Sequence, residues 1–105
     1  MKIESKICDA ELIVSLYGEL NEDSADVVKS RLDGLMRSES FRLLVLDFAN
    51  VSFMNSTGIG VILRLYRTIS GTKKRMCIAN PNRQIDKVIT LSGLYSVIDK
   101  VNREV

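Results

Sequence analysis

The sequence predicts an α/β fold: a single domain over residues 1–105 with a mostly parallel sheet of four to five strands, an N-terminal hairpin and three main helices. Three observations carry this. Short apolar runs with strand character alternate with amphipathic stretches of helical period. The punctuating residues between them fall at the ends of each run. The chain has 105 residues, 46% of them hydrophobic and 27% charged, which suits one compact domain with a real core. Strands that alternate with helices imply parallel pairing through right-handed crossovers.

The elements follow in order. Ile3 to Cys8 is a weak strand candidate, and Asp9-Ala10 can turn it back as a hairpin. Leu12, Val14 and Leu16 alternate with Ile13, Ser15 and Tyr17, the period of a strand, which Gly18 is expected to end. From Ser24 the period becomes helical: Ala25, Val28, Leu32, Leu35 and Met36 share one stripe, and Asn21 or Asp23 is placed to cap it. Leu43 to Phe48 is nearly continuous in apolar residues, the pattern of a central strand covered on both faces. A second helix should begin at Ser56 or Thr57 and run to about Ser70, with Ile59, Ile62, Leu63, Tyr66 and Ile69 inward and Gly71 terminating it. Met76 to Ala79 reads as a buried strand. Asn80-Pro81 reads as an N-cap and first helical residue for a third helix, whose inner face is Ile85, Val88 and Ile89 and whose end is Gly93 with apolar Leu94 behind it. Val97-Ile98 makes a final strand.

Composition excludes several classes of function. Fifteen basic and thirteen acidic residues leave a net charge of +2, too little to mark a nucleic-acid binder. No apolar run approaches the ~20 residues of a membrane span, and Met1 to Ser5 has no signal-peptide character. With no histidine, imidazole-ligated metal and imidazole general-base catalysis are ruled out. Cys8 and Cys77 are far apart, lack metal-ligand spacing, and are expected to be small buried hydrophobes in a reducing, cytoplasmic setting. Gly58-Ile59-Gly60 is followed by Leu63 where a dinucleotide fingerprint needs its third glycine. Gly71-Thr72-Lys73 does not follow the phosphate-loop order. Asp47 and Asp86 have no evident carboxylate partner. The expectation is no enzyme, no catalytic residue, no metal and no cofactor.

The segment richest in functional candidates runs from Asp47 to Gly60, where a central strand gives way to a helix. Asn55, Ser56 and Thr57 place three polar side chains at a helix N-terminus, where backbone N–H groups favour an anion. Gly58 and Gly60 would let another surface approach the backbone. The plain alternative is a capped helix with glycines for packing. Arg64 and Arg67, one turn apart and followed by Lys73-Lys74-Arg75, read first as a solvated basic edge, against a nucleic-acid patch, with a face for an acidic partner between the two. Val61 and Leu65 lie off the inward stripe, either buried under a neighbouring element or part of a docking face.

Phe53-Met54-Asn55-Ser56-Thr57-Gly58-Ile59-Gly60 resembles the STAS domains of bacterial anti-sigma-factor antagonists, which show an apolar pair and then Asp-Ser-Ser/Thr-Gly-Leu/Ile-Gly. Tyr17 to Asn21 resembles the family's Gly-Glu-Leu-Asp segment, Leu43 to Asp47 the strand feeding the motif, and Leu91 to Leu94 its Ser-Gly-Leu segment. The resemblance spans essentially the whole chain. It implies a protein switch whose partner is an anti-sigma factor that is also a serine kinase. Binding frees a sigma factor, phosphorylation of a serine ends binding, and a serine phosphatase restores it. By position the acceptor is Ser56, with Thr57 second. The implied partner surface takes in Asn21, Glu22, Asp23, Asn55, Ser56, Thr57, Gly58, Val61, Arg64 and Leu65. The free protein is expected to be a monomer without direct contact to nucleic acid or membrane. Asn55 and Asn21 stand where the family has aspartate; asparagine keeps the capping ability and drops the charge. The last helix of the family is expected to be shortened or absent. Two further functions fit the same motif: an interaction module that is never phosphorylated, and a small-ligand binder for nucleotide or lipid at the helix N-terminus.

Overall fold

The computed structural model describes residues 1–103. The order is β1 (Lys2–Cys8), β2 (Glu11–Leu20), α1 (Ala25–Ser38), β3 (Leu43–Met54), α2 (Ser56–Ile69), β4 (Arg75–Ala79), α3 (Arg83–Ser92), a 3₁₀ turn (Leu94–Ser96) and β5 (Asp99–Val101). The five strands lie side by side in chain order, β1 antiparallel to β2 and the rest parallel. Because every crossover steps the same way and is right-handed, the helices share one face of the sheet. That face holds the main core, with Leu12, Val14 and Leu16 of β2 and Leu44, Leu46 and Phe48 of β3 packed against Val28, Leu32, Ile62, Leu65, Ile85 and Ile89 of the helices.

Among the described residues the opposite face carries no helix. It has a small cluster of Ile13, Val45, Cys77 and Ala79, flanked by Leu43 and Val101. The continuous apolar run of β3 therefore marks a strand buried on both faces, as expected, with helices on one side and this smaller cluster on the other. Beyond the cluster Asp47 is buried, accepting hydrogen bonds from Ser15 Oγ (3.2 Å), Ala49 N (3.0 Å) and Asn80 Nδ2 (3.4 Å).

Several boundaries differ from those the sequence suggests, each for a local reason. The hairpin forms on Asp9-Ala10, both at positive φ (50° and 65°), as a two-residue turn of primed type. Gly18 does not end β2; at φ +113° it sits between two register shifts, and the strand continues to Leu20. β3 likewise runs to Met54, so the expected loop before α2 is strand, paired with the extension of β2 through Gly18↔Val51, Glu19↔Phe53 and Leu20↔Met54. Asn80 does not cap α3. It stands at φ +58° and clamps the segment after β5, donating from Nδ2 to Arg103 O (2.6 Å) and accepting from Arg103 N (2.9 Å). Asn82 caps instead, its Oδ1 accepting from Ile85 N at 2.9 Å. Gly93 ends α3 in the left-handed region (φ +81°) with Leu94 buried behind it, as expected. The final strand starts at Asp99, because the 3₁₀ turn occupies Leu94–Ser96 and Ile98 is drawn into the core. Cys77 is buried, whereas Cys8 ends the edge strand and is exposed; both thiols are free. A last helix would fall outside the described residues.

Candidate functional site

The C-terminal edge of a parallel sheet is where loops and helix N-termini gather. Here β2 and β3 end together, and Asn55 N donates to Leu20 O across them (3.4 Å). The turn after β2 is closed by Ser24, whose hydroxyl donates to Glu19 O (2.8 Å) and accepts from Asn21 N (3.1 Å). Asn21 Oδ1 accepts from Asp23 N (3.0 Å), an Asx turn that holds Glu22 and Asp23 outward. Neither Asn21 nor Asp23 caps α1 with its side chain; Ser24 holds the N-cap position, its hydroxyl spent on the turn.

Asn55 links the two loops. Its Oδ1 accepts from Thr57 N at 3.0 Å, capping α2, while its Nδ2 donates to Glu22 Oε2 at 2.8 Å. This bond, with help from Glu22's own backbone N–H, pulls the Glu22 carboxyl below the usual range. The expected juxtaposition of Asn21–Asp23 with Ser56–Thr57 is thus present, bridged by a side-chain amide. α3 steadies the strand beneath: Gln84 Nε2 donates to Met54 O (3.3 Å) and Asn82 Nδ2 to Val51 O (3.1 Å).

Ser56 is exposed at the first helical position. The anion-cradle reading of this helix end fares worse. Thr57 N is taken by Asn55 Oδ1, and Gly58 N and Ile59 N both donate to Asn55 O (3.0 and 3.3 Å). Three of the first four donors are already satisfied, so the backbone offers little to a nucleotide or lipid headgroup.

The other expected surface residues divide. Arg64 is exposed and pairs with Asp33 of α1 at 2.7 Å. Val61 and Leu65 are 2% and 1% exposed and lie in the core, so they form no part of a docking face. The inward stripe of α2 is Gly58, Val61, Ile62, Leu65 and Ile69, while Ile59, Leu63 and Tyr66 are partly buried at its flanks. The helix is turned relative to the stripe read from the sequence, because both flanks are apolar and period alone does not say which is inmost. Gly58 is buried too. A Cβ there would stand 2.8 Å from Met54 Sδ and 3.1 Å from Leu20 Cγ. The close approach it permits is that of the chain's own strand ends, not of a partner.

Two features escaped the sequence reading. Phe53, an outward residue of β3 two positions before Asn55, is 40% exposed beside the loops; its outward direction depends on the irregular pairing of β2 and β3, which alternation could not foretell. Lys29 of α1 joins Thr57, Gly60, Arg64, Arg67 and Thr68 around an open cleft of about 610 Å³ between α1 and α2. No local pattern connects residue 29 with a motif near residue 60. Among the described residues no group of three or more acidic, Cys or His side chains is placed to hold a metal, and no helix is long and apolar enough to cross a membrane.

The STAS domain model matches residues 2–105. An anti-sigma F factor antagonist of Paenibacillus polymyxa is 30% identical over 105 residues, covering all of this chain and 90% of that relative. In backbone the chain is similar to the anti-sigma factor antagonist SpoIIAA in its unphosphorylated form (TM-score 0.83, 20% identity, 98% of this chain and 89% of that one). It is also similar to the Bacillus cell fate determinant SpoIIAA in its phosphorylated form (TM-score 0.75, 20% identity, 98% and 92%).

Proposed function

The chain belongs to the STAS domain family, and on that premise we propose that it is an anti-sigma factor antagonist: it binds an anti-sigma factor and so releases a sigma factor. We further propose that this partner is a serine kinase and that phosphorylation of Ser56 ends the binding, with a serine phosphatase reversing it. The free protein in this reading is a cytoplasmic monomer and not an enzyme. The observation that carries the reading is the exposed Ser56 beside the Asn55–Glu22 bridge, where two loops form one outward face. A phosphate on Ser56 adds roughly −1.5 to −2 charges to that face. The helix N-terminus tolerates the charge, so the fold persists. A partner surface complementary to the neutral hydroxyl does not tolerate it.

The test is binding of Ser56→Ala and Ser56→Asp to the cognate anti-sigma factor by calorimetry. Ser56→Ala should bind as the parent does, and Ser56→Asp at least tenfold more weakly. Equal binding of the two would refute a charge switch at this position.

One observation favours a second reading, a constitutive module that is never phosphorylated. Asn55 replaces the carboxylate that the family places next to the acceptor, and its amide is committed to Glu22 and Thr57. It cannot take a proton from the Ser56 hydroxyl. Intact-mass measurement after incubation with the cognate kinase and ATP separates the readings.

A further inference from the structure

Two glycines of α2 belong to the same motif and have opposite surroundings. Gly58 is wedged against Met54 and Leu20, so packing demands it. Gly60 is exposed, and a Cβ there would meet nothing within 4 Å. Its φ lies outside the left-handed range, so no backbone strain demands a glycine either. Glycine is the least favourable helix-interior residue after proline. Nothing in the fold repays it at residue 60.

Gly60 lies in the cleft between α1 and α2, and the side chains around it are cationic or hydroxylic: Lys29 from α1, and Thr57, Arg64, Arg67 and Thr68 from α2. Among the described residues no acidic one lines the cleft. Arg64 is held by Asp33, while Lys29 and Arg67 are in no ion pair among the described residues. A bare backbone floor between unpaired cations suits an anionic surface that approaches closely. The cleft is open and has no buried polar group aimed into it, which suits a protein segment better than a small molecule.

We infer that this cleft is a second docking element, which receives an acidic helix or loop of the partner, seated on Gly60 and flanked by Lys29, Arg64 and Arg67. The inference rests on the proposed antagonist function and extends its surface from the loop edge down the α1–α2 side. It also gives the switch a reason for its place. Thr57, which lines the cleft, directly follows Ser56. A phosphate on Ser56 would stand beside the entering acidic segment and repel it.

The test uses the full chain and its cognate anti-sigma factor. Gly60→Ala should raise thermal stability, because alanine is the better helix former, yet weaken partner binding about tenfold by lifting the partner off the floor. Gly34→Ala is the control. Gly34 is a helical glycine of α1 with nothing within 4 Å of its Cβ position, and it is outside the cleft lining; it should raise stability and leave binding unchanged. Lys29→Glu and Arg67→Glu should each slow association about tenfold at low salt, with a smaller effect at high salt. Parent-like binding by Gly60→Ala and both charge reversals would overturn the cleft while leaving the antagonist reading intact. A parent protein that does not bind overturns both. If the parent self-associates in sedimentation, Arg67→Glu abolishes that, and partner binding is unaffected, the cleft belongs to a second copy of this chain and the inference is wrong.

Discussion

Gly58→Ala tests whether the site is built by packing. The new methyl would stand 2.8 Å from Met54 Sδ and 3.1 Å from Leu20 Cγ, with Met54 Cγ nearer still. Both side chains are 0% exposed, so neither can swing into solvent. The methyl is an insertion into a filled core, which costs about 1–3 kcal/mol. Alanine's helix propensity returns at most about 1 kcal/mol, less at the third residue of a helix. The net expectation is a loss of about 1–2 kcal/mol. At about 4–8 °C per kcal/mol for a domain near this size, the melting temperature should fall by roughly 5–15 °C. Urea unfolding followed by far-UV circular dichroism measures the change, and an unaltered m-value confirms that the fold is kept.

Met54→Ala removes the Cγ and Sδ that the new methyl meets. By itself that truncation costs about 2–5 kcal/mol, within the 5–15 kcal/mol typical of a folded domain. In the Met54→Ala background Gly58→Ala should become neutral or stabilising, a coupling of about 1–2 kcal/mol between neighbours. If Gly58→Ala is as stable as the parent, or costs the same in both backgrounds, the steric account of this glycine is wrong.

Ala10→Gly should stabilise by about 1 kcal/mol, because Ala10 sits at φ +65° in the two-residue turn and a left-handed backbone costs an L-residue about 1–2 kcal/mol; urea unfolding reads it, and no gain would refute the strain. Asn55→Asp should destabilise, because it replaces the amide donor to Glu22 with a carboxylate, and Glu22→Gln should restore most of the loss; thermal melts of the two singles and the double decide, with additive effects refuting the bridge. The acid limb of stability should depend on Asp86, whose carboxyl is held below its usual range by the Tyr95 hydroxyl and then by Lys100. A depressed carboxylate contributes above its unfolded pKa and loses that contribution as pH falls through the folded value, so Asp86→Asn should lower stability at pH 7 and flatten the decline below about pH 4; an unchanged acid limb would refute it.

The sheet, its hairpin and its three helices were legible because each depends on local period and punctuation. Leu12, Val14 and Leu16 had to share a face whatever lay opposite. Gly93 followed by Leu94 ends a helix without outside help. What could not be read depended on contacts distant in sequence. Whether Gly18 ends a strand or bends it is decided by pairing with Val51. Asn80 has the local signature of a cap, yet Arg103 and Val101, more than twenty residues on, claim it. The rotation of α2, which takes Val61 and Leu65 inside, was hidden by apolar residues on both sides of its stripe. At the site, the motif marked Ser56 and its neighbours, but only the folded edge couples Asn55 to Glu22, 33 residues away.

That coupling changes what the asparagine means. As a cap, asparagine and aspartate are nearly interchangeable, and the sequence alone suggested a swap with no structural consequence. Next to Glu22 they are opposites. The bridge needs a donor, and an aspartate at residue 55 would place two carboxylates where one hydrogen bond of 2.8 Å now stands. Asn55 and Glu22 are therefore a matched pair, which an aspartate at residue 55 would break. The consequence reaches the switch. In this chain the Glu22 carboxylate is drawn to the Ser56 loop by the Asn55 amide, which also pulls its pKa down. A phosphate on Ser56 would add its charge beside that carboxylate and weaken the bridge from outside. Phosphorylation would then act twice, once by repelling the partner and once by loosening the loop that shapes the partner's seat. Glu22→Gln separates the two effects: it keeps a neutral loop residue and removes the carboxylate that the phosphate opposes. If both act, Ser56→Asp should weaken partner binding less in the Glu22→Gln background than in the parent. An identical loss in both backgrounds would leave repulsion of the partner as the whole of the switch.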